Sequence, residues 1–340
     1  MRRLLIVIAL AAATLVPASA LTASAAEPDH VGIGVRLVDA PAATRDDPRA
    51  RIYIIDHVAP GTLIERRIQV ANGSGDGAKV EVYAAGATLT SGSFVGLEGK
   101  TPNEVSTWTT LDQDVLELSD GATAMVNVTI RVPADAAPGE RYAALWAQTR
   151  SGTKDASGVT QVSRVGVRVY LSVGPGGAPA SDFEITSLTP ARTPSGHPML
   201  TATVSNTGGR ALDLSGSLKL TDGPGGLSAG PFPVTLGTTL AVGEAEPVNI
   251  EMDKQLPDGP WRAKVVVTSG LLTHSAQATI TFPDAGVGDS VPPDTSSAVW
   301  WIGGAVLAAL VLALLGWSMT RRQRARRRSS GARRAGVAYS

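Results

Sequence analysis

Val126-Asn127-Val128-Thr129-Ile130-Arg131-Val132 sends every second side chain to the same side. Aliphatic residues stand at 126, 128, 130 and 132 with Asn, Thr and Arg between them, and a period of two marks a half-buried strand. Val80-Glu81-Val82-Tyr83 and Val165-Gly166-Val167-Arg168-Val169-Tyr170-Leu171 carry the same alternation. Asn72-Gly73, Asp120-Gly121, Pro138-Gly139 and Asp222-Gly223 separate such runs, and these dipeptides favour turns. No amphipathic helix of useful length interrupts the pattern. Many short strands at this spacing predict an all-β chain with two tandem immunoglobulin-like β-sandwich domains.

The two halves echo each other. Ile68-Gln69-Val70-Ala71-Asn72-Gly73-Ser74-Gly75 leads to Val80-Glu81-Val82, and Ala202-Thr203-Val204-Ser205-Asn206-Thr207-Gly208-Gly209 leads to Leu212-Asp213-Leu214. Each reads as a strand, a turn bearing Asn and Gly, and the next strand. Leu118-Ser119-Asp120-Gly121 precedes the run at 126–132, and Leu240-Ala241-Val242-Gly243 precedes Val248-Asn249-Ile250-Glu251-Met252. Corners at Pro138-Gly139 and at Asp258-Gly259 are followed within two or three residues by Tyr142 and Trp261. An aromatic at that place packs into the gap a corner leaves between sheets.

The ends of the chain predict its placement. Arg2-Arg3, an apolar run over 4–16 and small residues after it read as a signal peptide over 1–26, with cleavage after Ala20 or within Ala23-Ser24-Ala25-Ala26. Residues 299–319 hold no charge, enough for a transmembrane helix, with Trp300, Trp301 and Trp317 near its ends. Residues 320–340 carry eight arginines and no acid, a basic cytoplasmic tail by the positive-inside rule. Between them the expected order is a first sandwich (27–174), a linker (175–181), a second sandwich (182–283) and a stalk (284–298). The predicted localisation is the cell membrane, single-pass, with the sandwiches extracellular. The chain has 30 basic and 30 acidic residues, but the arginines of leader and tail leave 20 basic against 30 acidic outside. A balance of −10 there points away from nucleic acid.

Chemistry is sparse in the sequence. Cysteine is absent, which excludes disulfides, thiol nucleophiles and thiolate metal sites. Gly226-Leu227-Ser228-Ala229-Gly230 matches G-x-S-x-G, but a nucleophile elbow needs a strand before and a helix after, and Pro231-Phe232-Pro233 follows. His30, His57, His197 and His274 are scattered without ligand spacing, so no metal, cofactor or catalytic residue is assigned. Asp112 and Asp114 read as surface charges. Phe94 and Trp108, in the longest irregular stretch (90–110), are the candidate ligand-binding residues, because long loops tend to carry function.

Ala59-Pro60-Gly61, 68–72 and Val82-Tyr83-Ala84-Ala85-Gly86-Ala87-Thr88 resemble the peptidoglycan-binding domain of the WxL-interacting proteins. So do 118–121, 126–133 and Pro138-Gly139-Glu140-Arg141-Tyr142-Ala143-Ala144-Leu145-Trp146, in a chain of actinobacterial-looking, Ala- and Arg-rich composition. The resemblance implies two sandwiches, one linked to peptidoglycan and one to a host or partner, with a C-terminal membrane anchor. The expected function is thus a non-catalytic envelope protein that binds peptidoglycan or a wall-associated protein. The alternative is an assembly or chaperone-like subunit that pairs a strand edge with a secreted protein partner. A copper-binding or wall-hydrolysing protein stands third.

Overall fold

The computed structural model describes residues 32–150, 161–234 and 238–294 of the 340-residue chain. The expected signal peptide, membrane helix, basic tail and His30 lie outside these residues. Among the described residues no helix is long and apolar enough to cross a membrane.

The described chain is all-β, with one five-residue α-helix, α1 (Glu104–Trp108). The first ten strands are β1 (Gly32–Leu37), β2 (Ile54–Val58), β3 (Leu63–Gly73), β4 (Ala78–Thr90), β5 (Ser93–Gly96), β6 (Thr109–Leu111), β7 (Val115–Leu118), β8 (Thr123–Arg131), β9 (Gly139–Arg150) and β10 (Val162–Val173). They form one sheet ordered β1-β3-β8-β6 and a second ordered β2-β10-β9-β4-β5, with β7 also on β4. The rest are β11 (Phe183–Arg192), β12 (Pro198–Asn206), β13 (Leu212–Asp213), β14 (Ser215–Thr221), β15 (Ala229–Pro233), β16 (Thr239–Leu240), β17 (Ala245–Glu251), β18 (Trp261–Ser269), β19 (Leu272–Ile280) and β20 (Gly286–Val287). These make sheets ordered β17-β12-β11-β20 and β15-β14-β18-β19, and the short pair β13-β16.

The alternation read at 126–132 is the cause of the first core. Val126, Val128 and Ile130 of β8 are buried, while Asn127 and Arg131 point out. Facing them from the other sheet are Val82 of β4, Leu145 and Ala147 of β9, and Val167, Val169 and Leu171 of β10. Full burial of a Val, Leu or Ile side chain contributes roughly 1.5–3 kcal/mol. A second core gathers Leu200, Val204, Leu218, Ile250, Val265 and Ile280 among others. Trp261 sits in it, its Nε1–H donating to the Pro257 carbonyl at 2.8 Å, as a residue filling the corner gap should. A Cβ at Gly223 would lie 2.1 Å from the Trp261 ring, so glycine is required there.

The stretch 90–110 is irregular only at 97–103. Ser91 (φ 49°) and Gly92 (φ 68°) close a two-residue hairpin between β4 and β5, the positive-φ pair such a turn demands. Asn103 then caps α1: its Oδ1 accepts from the Ser106 N–H at 3.1 Å, and the Ser106 Oγ accepts from the Asn103 N–H at 2.7 Å. Four-residue strands and one-turn helices are too short to express a hydrophobic period, which hid them.

The sequence echo is a repeat of hydrogen bonds. Asn72 is 1 % exposed and Asn206 3 %. The Asn72 Nδ2 donates to the carbonyls of Asp76 (2.7 Å) and Leu118 (3.0 Å); the Asn206 Nδ2 donates to Arg210 (2.8 Å) and Leu240 (3.3 Å). Their own N–H groups reach Ala122 and Glu244, each four residues after the leucine just named. Gly121 (φ 71°) and Gly243 (φ 74°) make the same left-handed turn between. Each Asn thus pins a strand end to the opposite sheet edge. Asn72→Ala and Asn206→Ala are each expected to cost about 2–3 kcal/mol, because buried carbonyls lose their donors. The sites share no partner, so the double variant should be additive in urea unfolding.

Candidate functional site

β9 and β10 form a long antiparallel hairpin, from Val162 opposite Arg150 to Val173 opposite Gly139. On its other edge β10 pairs with β2, in parallel, only at residues 169–173. Among the described residues no strand pairs with that edge at 162–168. An unpaired edge presents a row of N–H and C=O groups to any chain that comes alongside. The core-facing row of β10 runs past the core itself: Val167 is 2 % exposed but Val165 37 %. The outward row is Val162, Arg164, Gly166 and Arg168. Trp146 lies opposite Gly166, and a Cβ there would fall 2.6 Å from its ring. The indole therefore lies flat over the sheet, with the Arg164 guanidinium carbon 4.4 Å from the ring centre.

The chain leaves this edge because of a joint between the two cores. Before β2, a 3-10 turn (Arg49–Arg51) carries Arg49 to Asp213 on β13. The Asp213 Oδ2 accepts from Arg49 Nε at 2.9 Å, with Nη2 at 2.7 Å as an ion contact off the hydrogen-bond direction. Its Oδ1 accepts from Tyr170 (2.8 Å), Thr239 (2.9 Å) and Arg168 (3.0 Å). Tyr53, Phe94, Tyr142 and Tyr170 pack ring to ring beneath, with centroids 5.4–6.4 Å apart. The Arg168 guanidinium covers Tyr53 and Phe94 at 5.2 and 4.9 Å. Beside them the Glu140 Oε2 accepts from the Tyr142 hydroxyl (2.8 Å) and the Ala211 N–H (2.7 Å). Burial pushes the Glu140 carboxyl up, against the pull of those two bonds and of Arg210 and Arg49. Burial likewise raises both tyrosine hydroxyls, which stay neutral phenols. A cleft of about 530 Å³ opens between the halves over Arg49, Tyr53, Arg168, Asp213 and Thr239. Both arginines there are already paired with Asp213, so the cleft is a joint and not an open anion site.

The two predicted ligand-binding residues are not brought together. Phe94, on β5, is half-buried inside the aromatic joint. Trp108, at the end of α1, packs on the first core under Arg141, 5.5 Å from its ring. Both side chains are half-buried. Ser228 stands between a 3-10 turn (Pro224–Gly226) and β15, without the strand and helix of a nucleophile elbow. Among the described residues no cluster of His, Asp and Glu could hold a metal ion. The meeting of Arg49, Arg168, Tyr170 and Asp213 carried no local signal, since they come from three separate segments. The edge had a partial one: the alternation at 165–171 marks the strand, but it does not continue to Ser163, and Val162 falls on the outward row.

No protein-family model matches the chain, and no characterised protein matches it in sequence. Solved structures of pilus chaperones do match in fold. The Pseudomonas aeruginosa CupB2 chaperone is 12 % identical, over 67 % of this chain and 97 % of that one, at a TM-score of 0.36. The Acinetobacter baumannii CsuC–CsuE chaperone–tip adhesion subunit complex gives 12 %, 66 %, 94 % and 0.35. The Salmonella enterica SafB chaperone in complex with SafA pilin gives 9 %, 74 %, 97 % and 0.38. Such loose superpositions transfer no role. The expected single-pass, peptidoglycan-binding, WxL-interacting character is corrected, since no comparison supports it: the similar solved structures carry chaperone names. The expected helix at 299–319 lies outside the described residues, among which no helix is long and apolar enough to cross a membrane.

Asp213→Ala strands Arg49 and Arg168 without their carboxylate. Breaking a buried pair from one side costs about 3–5 kcal/mol, and calorimetry should then show the two cores melting separately. Glu140→Gln keeps both hydrogen bonds on its amide oxygen and removes the buried charge. A carboxyl raised in the folded state contributes fully below its ordinary value of 4.5 and loses that contribution as pH rises through the raised value. The variant should therefore melt higher than the parent at neutral pH, and the gain should vanish in acid.

Proposed function

We propose that this chain is a non-catalytic, chaperone-like subunit, two tandem immunoglobulin-like β-sandwiches that hold a protein partner by adding its strand to β10. The supporting observation is the edge at 162–168, which no strand among the described residues pairs with on the side away from β9, with Val162 and Val165 exposed along it. Strand addition takes affinity from main-chain hydrogen bonds and specificity from alternate side chains. The joint at Asp213 supports the same reading, because it keeps β2 short and leaves the edge open. The leader-like residues 1–26 support an exported location for such a subunit.

A photo-crosslinking residue at position 162 or 165 of the full chain, in its native cells, should trap a discrete adduct. The same residue at Leu63, exposed on the other sheet, should not. Val165→Lys, whose aliphatic stem the half-exposed site accommodates, should abolish the adduct from position 162 without changing the melting temperature. Equal adducts from Leu63, or none from β10, would refute strand addition.

A further inference from the structure

The charge along this edge says what kind of strand it accepts. Building on the strand-addition reading, we propose that the partner strand alternates apolar and acidic residues, setting an Asp or Glu against Arg164 and an apolar side chain beside Val165. Residues on the two faces of an added strand meet the two rows of β10 separately, since successive side chains alternate. The inward row offers Ser163 and the half-exposed Val165, a continuation of the core. The outward row offers the exposed Val162 and Arg164, then Gly166, beyond which Arg168 is already paired with Asp213.

Arg164 is the open charge. Among the described residues no carboxylate pairs with it; its contact is the indole of Trp146 at 4.4 Å. That stacking holds the guanidinium at the edge, so less side-chain freedom is lost when an acid arrives. The neighbouring acid, Glu81, faces Lys100 at 3.1 Å and Arg150 at 3.9 Å. The basic character is local, because residues 27–298 carry ten more acids than bases. Opposite charges directly across two strands are favourable and like charges are not. A basic strand is rejected on that ground. A second copy of this chain is disfavoured too: antiparallel pairing about Val165 would set two Arg164 side chains diagonally on one face, with Arg150 and Arg168 of both copies nearby.

The test uses the purified full-length chain and short synthetic peptides alternating Val with Asp, Thr or Lys. Affinity is read by fluorescence anisotropy and position by hydrogen exchange. The Asp peptide should bind about tenfold more tightly than the Thr peptide at low salt, lose that margin in high salt, and slow exchange at 162–168. Arg164→Glu should invert the order, making the Lys peptide the best ligand. Equal binding of Asp and Thr peptides, both protecting 162–168, would overturn the charge preference and leave strand addition standing. If no peptide protects 162–168, or these amides are already protected in the free protein, strand addition itself fails. Sedimentation showing a dimer abolished by Val165→Lys would assign the edge to a second copy and overturn the proposal.

Discussion

One carboxylate, Asp213, receives hydrogen bonds from Arg49, Arg168, Tyr170 and Thr239 and thereby ties the two cores together. Its consequences reach beyond the joint. The chain before β2 is a 3-10 turn at Arg49–Arg51 and not a strand along β10, and from that turn Arg49 reaches Asp213. β2 then begins at Ile54 and covers β10 only from residue 169 onward. A charged hydrogen-bond cluster of this kind is costly to half-break, because the remaining arginines would be left desolvated. The joint and the open stretch of edge adjoin at residues 168–170 of β10.

An open edge is a hazard as well as an opportunity. Sheets that expose unpaired backbone tend to pair with copies of themselves unless charge, short length or a bulge prevents it. Here the outward row carries arginines and the inward row stays only partly apolar. The same Arg164 that discourages self-pairing also sets the sign of the strand that fits. Specificity built from repulsion and attraction together is common at selective interfaces. The glycine at 166 lets Trp146 lie flat and keeps that arginine at the edge.

Phe94 and Trp108 have packing partners that no local pattern announced. Both stood in what read as a long loop, where exposed aromatics often bind ligands. A hairpin of two residues and a one-turn helix occupy that loop, and both rings are spent on packing. Segments this short leave no periodic trace, so their burial depends on what folds over them. The WxL-like motifs likewise lie on strands and turns that many β-proteins share, which is why they transmitted architecture more readily than role.

Alternation at 80–83, 126–132 and 165–171 determined by itself that these segments are strands, and at 126–132 also which side chains enter the core; Tyr83 and Tyr170 are buried on the other face, which only the tertiary structure decided. The paired Asn-and-Gly turns likewise announced the repeat, because only a buried amide with carbonyls on both sides fits there. Tertiary structure alone decided that Arg49, Arg168, Tyr170 and Asp213 meet, and hence where β2 ends and β10 stands uncovered. Those four residues lie up to 164 positions apart. No local pattern encodes such a meeting; it arises only when both cores have formed and their faces are brought together.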